Sequence, residues 1–243
     1  MKRIMLSAAS LVGLATALAG TAPMAQAADL PVYKKAPQPI VEPWNPWMLR
    51  VRALAVIPDA SGSSVNVFGV PALSSPNSGL SISDQVVPEL DISYFFTRNI
   101  AAELILGVTK HHVTGTGSLG GMDIGKSWLL PPTLTLQYHF TDFGPFKPYI
   151  GAGVNYTWFF SQTAANVPWN GLAVTQFHIN NAFGAAVQVG FDYMLDRHWG
   201  LNVDMKKLFL QPNYSATVNG AIPVSGRANI DPWLVAGGVT YKF

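Results

Sequence analysis

Nine charged residues fall on the polar side of otherwise apolar, alternating stretches: Arg50 and Arg52, Glu89 and Asp91, Glu103, Asp192, Asp204 and Lys206, and Lys242. In extended backbone, residues two apart share a face, so each stretch sets its charges opposite its hydrophobic side chains. Asp91 and Glu103 on neighbouring strands could form a carboxylate pair for acid–base chemistry. Arg50 and Arg52 beside them point instead to a structural ion network. Four positive and five negative charges nearly cancel, and charges in an enclosed interior persist only when paired. The expected chemistry is therefore ionic closure: a salt-bridged plug.

Other constellations fit no reaction. His111 and His112 are adjacent, so alternation turns them to opposite faces, while His139 lies near a short turn and His178 in a distant loop. That spacing builds no metal site. A hydrolase or acyltransferase would need Ser, His and Asn or Asp to converge near one end of the strands, and no strand register sets a serine beside His111, His112 or His178. Gly115-Thr-Gly-Ser-Leu-Gly120 formally fits a dinucleotide pattern but lies in a loop joining two strands and opens no helix. The chain has no cysteine, which excludes disulfides and thiolate sites. We expect no enzyme, no cofactor and no metal.

Eight segments with period-two patterning must position these charges: about 47 to 57, 86 to 96, 100 to 112, 130 to 140, 147 to 160, 182 to 195, 201 to 212 and 231 to 243. Leu90, Ile92, Tyr94 and Phe96 oppose Glu89, Asp91 and Ser93; Leu134, Leu136, Tyr138 and Phe140 oppose Thr133, Thr135, Gln137 and His139. The gaps alternate between long and short, the short ones being Thr97-Arg98-Asn99, Thr141 to Phe146 and Asp196 to Gly200. This is the layout of an all-β, eight-stranded antiparallel up-and-down transmembrane β-barrel, with both chain ends on the short-turn side. Each segment is long enough for the ~9–11 residues a tilted strand needs to cross a bilayer. A soluble lipid-binding barrel would reverse the faces. Strand seven carries one departure, Lys207 on the lipid face, which a bulge or snorkelling would accommodate.

Composition agrees. Only 12% of residues are charged and 49% are hydrophobic, against ~25% charged in typical soluble domains. Lys2 and Arg3 precede an apolar run ending near Gly20 and then Ala25-Gln26-Ala27, the form of a signal peptide cleaved after Ala27. Cleavage leaves 13 positive and 13 negative charges, so nothing steers nucleic acid toward the chain. Residues 28 to 46 hold five prolines and are expected to form an extended periplasmic lead-in before a barrel over 47 to 243.

Toward the long-loop side the inward positions become apolar: Leu54, Val56, Phe159, Leu208, Leu210 and Leu234. They form either a cup for a small apolar solute above the plug or simple core filling. The loops, about 58 to 85, 113 to 129, 161 to 181 and 213 to 230, carry Phe68, Trp169, Leu172, Val174 and Phe177, suited to covering the cup or binding a partner. A passive conduit and a closed barrel acting through its loops both remain open.

Two resemblances extend this reading. The terminal Phe243, with Tyr241 two positions earlier, resembles the signal by which bacterial outer-membrane barrels are recognised for assembly, implying a barrel-assembly machinery as partner and outer-membrane lipid as surroundings. Pro88-Glu-Leu-Asp-Ile-Ser-Tyr-Phe-Phe96, Asn99-Ile-Ala-Ala-Glu-Leu104, Leu106-Gly-Val-Thr-Lys-His111, Leu130-Pro-Pro-Thr-Leu-Thr-Leu-Gln-Tyr-His-Phe140, Lys147-Pro-Tyr-Ile-Gly-Ala-Gly-Val-Asn-Tyr156 and Asp204-Met-Lys-Lys207 resemble the OmpW family of small outer-membrane proteins. The resemblance implies a narrow, rather hydrophobic lumen that passes small apolar molecules. The lead-in and the loops lie outside it.

Overall fold

A computed structural model describes residues 44–243. The proposed signal peptide and most of the lead-in lie outside these residues. In chain order the strands are β1 (Trp47–Ile57), β2 (Asn66–Val67), β3 (Ser78–Ile82), β4 (Gln85–Phe95), β5 (Ile100–Gly107), β6 (Thr109–Gly117), β7 (Asp123–Leu130), β8 (Thr133–His139), β9 (Phe146–Ala164), β10 (Val174–Ile179), β11 (Ala182–Met194), β12 (Trp199–Phe209), β13 (Asn213–Val218), β14 (Ile222–Arg227) and β15 (Trp233–Lys242). Eight of them, β1, β4, β5, β8, β9, β11, β12 and β15, form an antiparallel ring closed by β15 on β1, from Ile57↔Trp233 to Met48↔Lys242. Closure leaves the ring without a first or last strand whose free edge hydrocarbon could not satisfy.

Alternation sets the two surfaces. Along β1 the outward Val51 is 62% exposed, whereas Arg50 and Arg52 are buried in the lumen. Aromatic residues gather outward at the short-turn end, where Trp47 meets Tyr94 at 4.9 Å and Tyr241 meets both Trp199 and Phe243. Amphipathic rings suit that interface. The short turns are capped by their own side chains. Thr97 Oγ1 accepts the amides of Asn99 and Ile100, and Asp196 Oδ1 accepts those of His198 and Trp199. The two amides hold the exposed Asp196 carboxyl below its ordinary range, that of Trp199 contributing most.

Lys207 requires no bulge. The ladders of β12 continue in register through Val187↔Lys207 and Lys207↔Trp233. Its ammonium lies 4.9 Å from the Trp233 ring centroid and donates to the Asp231 carbonyl at 2.5 Å, so the side chain snorkels. Leu208 and Leu210 consequently stay inward and buried.

The wall differs from the expected ladder in one place. β5 pairs with β8 as far as Ile105↔Thr133, and pairing resumes between β6 and β7 at Thr109↔Leu129. Between those points Pro131 and Pro132 have no N–H to donate, and Pro132 also restricts the residue before it. The expected segment 100 to 112 is thus two strands, β5 and β6, parted at Val108, and of the segment 130 to 140 residues 133 to 139 form β8 while Leu130 ends β7. Asn155 Nδ2 donates to both proline carbonyls, at 3.2 and 3.3 Å.

The long loops are folded, contrary to their reading as connections. β9 runs on past the barrel to pair with β7, followed by β6 and β3, while β10, β13, β14 and β2 form a second sheet. The two sheets enclose an apolar cluster that includes Val65, Leu80, Met122, Ile124, Phe177 and Tyr214. Among the loop residues expected to cover the cup or meet a partner, Val174 and Phe177 are buried in this cluster, Trp169 and Leu172 pack against it, and Phe68 is 74% exposed.

Candidate functional site: the barrel lumen

The lumen is layered along the axis, and β1 samples each layer in turn: Met48 at the short-turn mouth, Arg50 and Arg52 in the middle, Leu54 and Val56 above. In the middle layer Arg50 grips Asp192 with two hydrogen bonds, Nε to Oδ1 at 3.0 Å and Nη2 to Oδ2 at 2.6 Å. Its Nη1 donates to Ser93 Oγ at 3.1 Å and to Glu103. Arg52 donates to Glu89 Oε2 at 3.2 Å and Asn202 Oδ1 at 2.8 Å. Its Nη2 lies 2.6 Å from Asp91 Oδ2, off the hydrogen-bonding direction. Lys206 bridges Asp204 at 2.6 Å and Glu89 at 3.3 Å.

Eight of the nine charges anticipated from alternation therefore meet. Lys242 does not join them. It forms no ion pair with the five carboxylates, and its ammonium sits 5.1 Å from the Phe95 ring centroid at the short-turn mouth. Three cations thus face five acids, and neutral donors make up part of the difference. Gln188 Nε2 bridges Glu103 and Asp204 at 3.0 and 2.8 Å; Tyr149 donates to Asp204 at 2.8 Å; Asn202 and Thr240 donate to Asp192 at 2.9 and 2.6 Å. Gln188, Asn202 and Thr240 alternate with Val187 and Val189, with Leu201 and Val203, and with Val239 and Tyr241, so parity turns them inward. Their role in the network follows from depth, which parity does not supply.

Below the network a mouth cavity of about 400 Å³ is bordered by Met48, Phe95, Arg98, His139, Lys147 and Lys242. Above it lies a small apolar cup of about 50 Å³, with Glu89 and Lys206 at its floor. Leu54, Val56, Leu208, Leu210 and Leu234 line the cup together with Thr109, His111, Leu129 and Pro131. Phe159, expected there, belongs instead to the loop-side cluster. The cup therefore abuts the stretch of wall where the ladder is interrupted.

Higher still, between the two loop-side sheets, is a cavity of about 170 Å³ that sequence reasoning did not anticipate. Its walls include Val67, Leu80, Met122, Val174, Ala216 and Val224, and Tyr214 turns its hydroxyl away to donate to the Ser64 carbonyl at 2.9 Å. An apolar cavity of ~150 Å³ engineered into another protein binds benzene, so this space suits a small ring or short chain.

The histidines stay apart. His111 Nδ1 lies 2.6 Å from the Ser83 carbonyl, His112 Nε2 lies 2.6 Å from Asp123 Oδ1, and His178 is exposed on β10. Gly115 to Gly120 spans the end of β6 and its turn toward β7, where Gly117 takes φ +64°. Among the described residues no group of three or more His, Asp or Glu side chains could hold a metal ion.

A closed antiparallel ring of eight strands with an apolar outer surface, aromatic at one rim, and a charged interior defines an integral outer-membrane β-barrel. Comparison with known proteins specifies the class further. The OmpW family model matches residues 46–243, and the chain belongs to that family of the bacterial outer membrane. An uncharacterized outer-membrane protein, y4mB, of Sinorhizobium fredii is 51% identical over 90% of this chain and 90% of its own. The dibenzothiophene metabolism operon protein PahQ of Pseudomonas aeruginosa is 32% identical over 82% of this chain and 89% of its own. The crystal structure of the outer membrane protein OprG from Pseudomonas aeruginosa superimposes with a TM-score of 0.72 at 27% identity, covering 81% of this chain and 95% of that one.

Proposed function

We propose that this barrel is a passive conduit for small apolar molecules, which enter from the loop side, rest in the apolar cup and leave sideways into the membrane. The observation carrying this reading is the placement of the cup. It stands directly above a buried ion network and directly beside the unpaired stretch around Val108 and Pro131–Pro132. A solute that gains ~25 cal/mol per Å² of apolar surface buried gains nothing by displacing paired charges, so the lateral way is favoured over the axial one. The 170 Å³ loop-side cavity supplies a first apolar station on that route. A relative named for a dibenzothiophene metabolism operon is consistent with an apolar aromatic cargo.

In the same reading residues 1–27 are a cleaved export signal and 28–46 a periplasmic lead-in, and Tyr241 and Phe243 engage the barrel-assembly machinery. The deciding experiment is uptake of a small apolar fluorescent solute into proteoliposomes by the wild type, Leu208→Arg and Leu234→Arg, each confirmed as folded. Uptake that both variants lose supports the conduit. Equal leakage by all three, or none, moves the function to the folded loop side with a closed lumen.

A further inference from the structure

We propose that the outward face of β6 and β7 binds the phosphate of an outer-leaflet glycolipid through Lys110 and Lys126, with the lipid's acyl chains against Trp128 and Phe160. This inference is independent of the conduit.

Cross-strand pairing sets Lys110 opposite Trp128 and His112 opposite Lys126, while the intervening His111, Ser127 and Leu129 are buried. Lys110, His112, Lys126 and Trp128 therefore share the outer surface. Trp128 stacks on Phe160 at 6.4 Å and 21°, and exposed aromatic rings of this kind mark the membrane interface. The lysines thus stand where the apolar belt gives way to headgroups. Lys110 Nζ lies 5.3 Å from the Trp128 ring centroid, which fixes one ammonium at that level.

The charges on this face are left open. Lys110 and Lys126 are diagonal neighbours of like sign, an arrangement that is unfavourable by itself. The acids nearby do not relieve it: Asp123 is engaged with His112 at 2.6 Å, and Asp84 forms no ion pair with either lysine. A phosphate between the two ammonium groups turns that repulsion into two charge-assisted contacts.

The molecule contains its own control. Lys207 and Trp233 form a second cross-strand pair with the same cation–ring stacking, at 4.9 Å. There the ammonium also donates to the Asp231 carbonyl, so the protein supplies the acceptor. At Lys110 and Lys126 the described residues supply none, and an anion from the membrane completes the site.

The test uses folded full-length protein in micelles titrated with bisphosphorylated lipid A and with its dephosphorylated form. The wild type is expected to bind the phosphorylated lipid at least tenfold more tightly. Lys110→Gln/Lys126→Gln should abolish that preference, and Lys207→Gln should retain it. The single change Lys126→Gln, at an exposed position, reports a partial loss if the double variant folds poorly. Equal wild-type affinity for the two lipids, a preference unchanged in the lysine variants, or equally tight binding of inorganic phosphate alone would overturn the proposal.

Discussion

The middle of the barrel and the loop-side extension fill their interiors in opposite ways. Around Arg50 and Arg52 the lumen is blocked by ion pairs and hydrogen bonds, though Asp91 accepts no hydrogen bond there; between the loop-side sheets the walls are apolar and enclose about 170 Å³ of space. The difference follows from what each interior tolerates. A buried ion network is sensitive to the loss of any partner, because a charge stranded in a low-dielectric interior costs several kcal/mol. An aliphatic interior tolerates a void at the cost of lost dispersion contacts alone. One region is suited to staying shut and the other to receiving a guest.

That contrast can be broken most forcefully at Arg50. Arg50→Met strands Asp192 and Glu103 and is expected to lower stability by ~3–5 kcal/mol, the scale for breaking a buried pair. Urea unfolding in lipid vesicles measures it, and a loss below about 1 kcal/mol would mean that the network is water-relaxed rather than closed. The upper region should respond in the other sense. Ala216→Phe fills the loop-side cavity, and we expect affinity for a benzene-sized probe to fall at least tenfold, about 1.4 kcal/mol, while the barrel stays folded. Unchanged probe binding would remove this cavity from the route.

Between the two lies the interrupted wall. Pro131→Val with Pro132→Val restores two backbone donors, and solute flux is expected to drop a few-fold while binding in the loop-side cavity persists. The smallest effect belongs to the short-turn rim. The Asp196 carboxyl is held below its ordinary range by the amides of Trp199 and His198, so its contribution is present above the usual carboxylate pKa and disappears as pH falls through the folded value. Asp196→Asn should therefore be slightly less stable than wild type at neutral pH and equal to it in strong acid, as read from unfolding midpoints at the two pH values.

Alternation made the barrel legible because it reports which face a side chain takes. Leu54, Val56, Leu208 and Leu234 cluster in the lumen as that rule requires. Parity says nothing of height, however, and that is where Lys242 departed: it shares a face with the network but lies beyond it, over Phe95. Phe159 departed for the same reason, since β9 carries it above the barrel proper. The strand Ile222–Arg227 gave little periodic signal; Asn213–Val218 does alternate, with Tyr214, Ala216 and Val218 on one face, but is only six residues long, and its place in the second sheet depends on pairing with the distant β10. Pro131–Pro132 was visible in the sequence, but its consequence depends on which strands flank it.

The length of β9 bears on how the molecule is assembled. Its 19 residues extend on the order of 60 Å at ~3.3 Å per residue, about twice the ~30 Å thickness of a hydrocarbon core. The strand is hydrogen-bonded to β8 and β11 along its lower part and to β7 along its upper part. It is a single beam common to both halves, so insertion of the barrel must carry the template for the surface-exposed sheet across the bilayer with it. A cut within β9 would therefore sever two structures at once.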